Sequence, residues 1–137
     1  MPFVVDASVA ACWIMPDEDH LVATQAFARL ALDQVAAPSL WWFELRNMMI
    51  VNERRGRLEP AKSTEALRRL AALPIVIDAD VDEDALMQLA RRHGLTVYDA
   101  AYLELALRLR CPLATLDRAL AKAARAEAAP LIGEGGV

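Results

Sequence analysis

The chain has 137 residues, 56% hydrophobic and 25% charged, which fits one folded domain with its own core and excludes a disordered chain. Its formal net charge is −4, from 15 basic and 19 acidic residues. Such a sum disfavours a nucleic-acid partner unless several acids gather at one place and hold cations. Cys12 and Cys111 form no C-x-x-C pair, and His20 and His93 are the only histidines. A His/Cys zinc site is therefore hard to assemble, and both thiols read as small, buried and reduced in a cytoplasmic protein.

The opening MPFVVDAS has no basic n-region and meets an acid at Asp6, so it is not expected to act as a signal peptide. The apolar runs fall short of the ~18 residues that span a bilayer. Residues 2–5, PFVV, predict a buried strand ended by Asp6, followed by a short helix through Trp13. PDED at 16–19 reads as a turn, and residues 20–33 carry Leu21, Val22, Phe27, Leu30 and Ala31 at helical spacing. VAAP at 35–38 is a second strand, and 39–56 a long helix with Ser39 as its N-cap and Gly56 as its stop. A helix after Pro60 precedes a strand at 75–77. Residues 81–94 form an amphipathic helix closed by Gly94 after basic residues. LTVYDAAYLELAL, 95–107, opens a helix to about Arg110, then LATL at 113–116 is a strand. A helix from Asp117 to about Ala126 and a short strand near 131–132 complete a single domain over 1–132, and the GEGGV stretch at 133–137 reads as a flexible tail. Strands alternating with helices predict an α/β fold of three layers, α/β/α, around a central parallel sheet.

Asp6 and Asp117 each follow a strand, and the carboxyl ends of parallel strands line the ligand crevice. Glu44 has Leu40, Met48 and Val51 as its helical neighbours, which puts a carboxylate on an apolar stripe with Asn47 one turn along. Such an acid is costly unless it is paired, hydrogen-bonded to water at the stripe's margin, or bound to a cation. Asp99 has two readings. It can act as a helix-start acid, either in a T-x-x-D capping box with Thr96 or as the N-cap itself, or as one corner of a charged pocket. Asp117 carries the same ambiguity. Four carboxylates brought together repel and raise one another's pKa, so they imply a divalent cation, and all-oxygen ligands select Mg²⁺ or Mn²⁺. That chemistry suits phosphodiester hydrolysis. The run Asp78, Asp80, Asp82, Glu83, Asp84 is a rival cluster and reads as solvated capping.

VVDAS near the start, FELRN in the long helix, LTVYDAAYLELAL and LATLD occur in the order and spacing that resembles a PIN-domain protein, more closely a VapC-type toxin of a bacterial toxin–antitoxin pair. The resemblance runs from Phe3 to about Ile132. It implies a parallel sheet flanked by helices and a Mg²⁺- or Mn²⁺-dependent ribonuclease. It carries the catalytic acids onto Asp6, Glu44, Asp99 and Asp117, with Asp6, Asp99 and Asp117 holding metal. Ser8, Asn47 and Thr115 match the polar positions beside those acids.

On that reading RNA phosphates are held by the metals and by basic side chains, Arg46 and Arg118 first, with Arg54, Arg55, Arg57, Lys122 and Arg125 as further candidates or as a solvated face. Two bound Mg²⁺ would offset the formal charge of −4. The bulky set Trp13, Trp41, Trp42, Phe43, Met48 and Met49 is either core, a homodimer face or a groove for the helix of an antitoxin protein. A PIN-type RNA-processing nuclease that is no toxin, and a non-catalytic interaction module whose acids merely cap helices, remain as alternatives.

Overall fold

The computed structural model describes residues 2–15 and 20–133. The turn expected at 16–19 and residues 134–137 of the expected tail lie outside the described residues. Four strands, β1 (Phe3–Val5), β2 (Val35–Pro38), β3 (Ile75–Asp78) and β4 (Leu113–Ala114), form one sheet in the order β3-β2-β1-β4. Every pairing is parallel, with Val4 opposite both Ala36 and Leu113. The last short strand expected near 131–132 is reduced to a single parallel bridge from Leu131 to Leu113.

Among the described residues seven helices cover the sheet: α1 (Ala7–Ile14), α2 (Leu21–Arg29), α3 (Ser39–Arg54), α4 (Pro60–Ala71), α5 (Glu83–His93), α6 (Val97–Leu109) and α7 (Arg118–Ala126). This is the three-layer α/β/α arrangement that the alternation predicts. β1 is central and covered on both faces, which is why Phe3, Val4 and Val5 form an uninterrupted apolar run with no exposure. β3 lies at the sheet's edge, and its Val76 and Ile77 are exposed.

Local chemistry fixes the element ends. α3 does not use Ser39 as its cap. Pro38 occupies that position without a side-chain bond, because β2 runs straight into the helix and leaves no residue between them. Gly56, at φ +71°, terminates the turn after α3, a conformation that costs a glycine little. β4 stops at Ala114 rather than 116, since the Leu116 amide leaves the ladder to donate to Ser8 Oγ at 3.0 Å. α5 is capped by Asp82 and closed by left-handed Gly94, as its pattern predicts.

The bulky set on the N-terminal helices divides. Trp41 and Met49 are buried, while Trp42 and Phe43 are exposed and Ile50 joins them on the outward ridge of α3. Trp13 bridges α1 to α2, donating to the Ala23 carbonyl at 2.8 Å and meeting Phe27 edge-on.

α6 is the central helix, with Ala100 to Ala106 all buried. Glu104 lies within that run, a buried acid that the reading of this segment as almost wholly apolar does not anticipate. Arg108, one turn on, meets it at 2.7 Å and reaches Asp78 at 3.2 Å and the Asp80 carbonyl. The acid run at 78–84 is therefore not all solvated capping: Asp82 caps, but Asp78 helps Arg108 fasten the β3–α5 loop to α6.

The Glu104 side chain is 2% exposed and that of Arg108 29%. Arg108→Ala should lower stability by about 2–4 kcal/mol, somewhat below the cost of breaking a fully buried pair. Adding Glu104→Leu should recover most of the loss. Urea unfolding midpoints of the single and double variants test this, and equal losses would mean that the stranded charge is not the cause.

Candidate active site

Asp6 stands where β1 ends and α1 begins. Its carboxylate caps α1 by accepting from the Val9 amide at 3.1 Å, and it also accepts from Ser8 Oγ at 2.7 Å and from the Thr115 hydroxyl. β1 and β4 are neighbours, so the matching turn after β4 comes alongside. There Asp117 caps α7 by accepting from the Leu120 amide at 3.0 Å. Two hydroxyls stitch the turns together. Ser8 Oγ accepts from Leu116 N, and Thr115 Oγ1 accepts from Asp117 N at 3.0 Å. Ser8 and Thr115 thus bind Asp6 directly while fixing the backbone that carries Asp117.

Asp99 lies in the first turn of α6. Thr96 is the N-cap and accepts from the Asp99 amide at 3.1 Å, so Asp99 is not the cap itself. Glu44 is half-buried on α3 and accepts a hydrogen bond from the Tyr102 hydroxyl. Tyr102 is three residues after Asp99 and therefore on the same face of α6. Sequence reasoning missed this tyrosine, although the YDAAY spacing carries the signal.

The electrostatics join the four acids into one patch. Burial raises the pKa of Asp6 against hydrogen bonds from Thr115, Ser8 and Val9, and the charge of Asp117 raises it further. Burial raises Glu44 too, with the Tyr102 hydrogen bond opposing it and the charges of Asp99 and Asp6 adding to it. Asp99 is raised by burial and then by Asp117, with Thr96 opposing. Tyr102 is held neutral by burial and by its bond to Glu44.

Among the described residues no lysine or arginine forms an ion pair with any of the four acids. Nor do three His, Cys, Asp or Glu side chains close, as they stand, to the spacing that holds an ion. The donor chemistry still fits a divalent cation with oxygen ligands: four carboxylates, no paired base and raised proton affinities. Asp6, Asp99, Asp117 and Glu44 are the residues that could hold such an ion.

The other expected residues are not all brought here. Asn47 is exposed one turn beyond Glu44. Arg118 is the first residue of α7, directly after Asp117. Arg46 is not aimed at the acids. Two positions along a helix turn it about 200° from Glu44, and its guanidinium covers the Trp42 ring at 3.5 Å while donating to the Trp42 carbonyl.

A parallel α/β/α domain with acids collected at the carboxyl edge of its sheet has the layout of a nuclease domain. The PIN domain model matches residues 3–126, and the chain belongs to the PIN-domain family. It is 36% identical over 126 residues to Ribonuclease VapC3 of Pyrobaculum aerophilum, covering 89% of this chain and 94% of that protein. Among solved structures it is similar to PAE2754 of Pyrobaculum aerophilum, with a TM-score of 0.73 and 25% identity over 96% of this chain and 90% of that one. Two others share the fold. FitAcB of Neisseria gonorrhoeae has a TM-score of 0.66 and 17% identity over 95% and 96% of the two chains. VapC20 of Mycobacterium tuberculosis, a sarcin–ricin loop cleaving toxin, has a TM-score of 0.59 and 14% identity over 88% and 94%. Among the described residues no helix is long and apolar enough to cross a membrane.

The raised carboxyls have a consequence for stability. A group whose folded pKa is raised stabilises the fold below its ordinary range and loses that contribution as pH rises through the raised value. Without metal, the melting temperature should therefore fall as pH rises from the ordinary carboxylate range toward neutrality. Asp33 and Glu127, whose pKa values are lowered by their hydrogen-bonded partners, lose their contributions only below that window. Thermal melts in EDTA across the range test the trend. Glu44→Gln and Asp99→Asn should each flatten it, and an unchanged slope would dissociate these acids from it.

Proposed function

We propose that the protein is a Mg²⁺- or Mn²⁺-dependent endoribonuclease and the toxin of a toxin–antitoxin pair. One observation carries the reading: four acids couple electrostatically at one sheet edge, and among the described residues no basic side chain pairs with them. The 36% identity to a ribonuclease of the VapC group supports it.

Asp6, Asp99 and Asp117 would hold one or two ions, which when bound supply an activated water and take up charge developing on the phosphorus. The rest falls to the chain's own groups. Glu44 completes the acid set or orients the attacking water. The neutral Tyr102 hydroxyl fixes one Glu44 oxygen and leaves the other to act. Ser8 and Thr115 hold Asp6 in place, and Asn47 lies within a turn of Glu44 to meet substrate. Arg118 and Lys122 on α7 are placed to meet RNA phosphates beside Asp117, whereas Arg46, stacked on Trp42, would reach RNA only beyond the acid patch.

Two protein partners belong to the same reading. A cavity of about 590 Å³ between the end of α1 and α4 is walled by Trp13, Ile14 and Leu58 and rimmed by Lys62, Glu65 and Arg69. That mixture suits an amphipathic antitoxin helix. The outward ridge of α3, with Trp42, Phe43 and Ile50, suits a second copy of the chain, which would make the protein a homodimer.

The test is cleavage of total bacterial RNA by the purified protein with Mg²⁺, Mn²⁺ or EDTA. The wild type should give discrete fragments that EDTA abolishes. Asp99→Asn should reduce the rate by at least ~100-fold, since even indirect supports of a metal site are worth ~10–100-fold. Mg²⁺ should also raise the melting temperature of the wild type, by the equivalent of ~2.7 kcal/mol at a hundredfold excess over its dissociation constant, and not that of Asp99→Asn. A wild type that gives no fragments in either metal, or the same products from wild type and Asp99→Asn with and without EDTA and no thermal shift in either, would refute the metal-dependent nuclease reading.

A further inference from the structure

Beside the acid patch lies a cavity of about 290 Å³ that the proposed chemistry does not use. Its walls are Pro38, Leu40, Val81 and Tyr98, and Ser39 and Asp80 line its polar side. The walls come from the two helices that carry Glu44 and Asp99. Leu40 is one turn before Glu44 on α3, and Tyr98 immediately precedes Asp99 on α6. The volume is at the foot of the ~300–1,000 Å³ range of small-molecule pockets, enough for one flat ring system.

We infer that this cavity receives a nucleobase of the RNA next to the scissile phosphate, stacked on Tyr98 and read at its edge by Asp80. The inference rests on the nuclease reading above and adds the part of the substrate that determines where it is cut. Three features select a base over another occupant. Its Leu40 and Tyr98 walls belong to the two helices that carry Glu44 and Asp99, so an RNA with a phosphate at those acids passes beside it. Tyr98 is 65% exposed and presents its ring beside the aliphatic Pro38, Leu40 and Val81, in a lining that also includes Asp78, Glu104 and Arg108. The acceptors at the rim are not all engaged: Asp78 is tied to Arg108, whereas the exposed Asp80 contributes its backbone to that contact and keeps its carboxylate for a ligand. A carboxylate only accepts, so it favours the base edge with adjacent N–H donors, the N1–H and N2 amino pair of guanine.

The Arg108 contact makes this a preformed site. By holding the Asp80 carbonyl and the Asp78 carboxylate, it sets the loop wall against α6 before any RNA arrives.

The experiment uses the full chain and two fluorescein-labelled RNA octamers, one all-uridine and one with a single central guanosine. Binding is read by anisotropy in Ca²⁺, and cleavage in Mn²⁺. The wild type should bind the guanosine octamer more tightly and cut it next to that base. Tyr98→Ala should weaken its binding roughly 5- to 100-fold, the range for loss of one stacked base, while Tyr98→Phe retains it. Asp80→Asn should bring the affinity for the guanosine octamer down to that for the all-uridine octamer. If the wild type binds and cuts both octamers and these variants behave identically, the pocket reading fails and the nuclease reading stands. A wild type that neither binds nor cuts either octamer overturns both. If loss of binding in Tyr98→Ala coincides with dissociation of a dimer in sedimentation, the cavity belongs to an interface between copies and the inference is wrong.

Discussion

The burial of the Asp6 carboxylate is the constraint on which the rest of the site depends. A carboxylate that is 5% exposed must be compensated, and an arginine would be the common solution. This fold uses neutral donors: two hydroxyls and one backbone amide. The choice leaves the negative charge uncancelled and therefore available to a cation. It also dictates architecture. Thr115 can reach Asp6 only if β4 lies next to β1 in parallel, and Ser8 can receive the Leu116 amide only if both strands end at the same level. The order β3-β2-β1-β4 is thus the one in which the central strand's acid finds its donors.

Three of the four acids occupy first turns or caps of helices, and this eases their mutual repulsion. Asp6, Asp99 and Asp117 each stand at the positive end of a helix, where a negative charge gains a few tenths to about 1 kcal/mol. Thr96 takes over the capping of α6 and so leaves the Asp99 carboxylate free of that duty. Glu44 has no such support, being in the middle of α3. Its compensation is the Tyr102 hydroxyl, which explains why a tyrosine belongs in an otherwise aliphatic stretch of α6. The competing readings of Asp6 and Asp117 as caps or as members of a charged patch were not exclusive, because both acids cap helices and still couple to each other.

Much of this was legible in the sequence. The strand-then-acid pattern located Asp6 and Asp117 at the sheet's carboxyl edge, and the apolar neighbours of Glu44 marked it as anomalous. The end of α5 followed from Gly94. What failed were facts about orientation. Glu104 was not singled out, and only the packing of α6 on every side shows that it is buried and paired. The spacing Glu104–Arg108 held the clue, but the same spacing is common on solvated helices. Arg46 was expected at the RNA as one of a basic group, and its stacking on Trp42 was not legible from that grouping. For Trp42 and Phe43 the sequence left core and docking face open; both face outward, since the core stripe of α3 runs through Trp41, Leu45 and Met49.

The same packing gives α6 its role. A helix buried over seven consecutive residues cannot rotate or slide without disturbing every layer of the domain. Along it, Tyr98 faces the adjoining cavity, Asp99 the acid patch, Tyr102 Glu44, and Arg108 the β3–α5 loop. Their spacing is set by helix geometry rather than by loops. The acid patch tolerates its charge because its members are rigidly held apart.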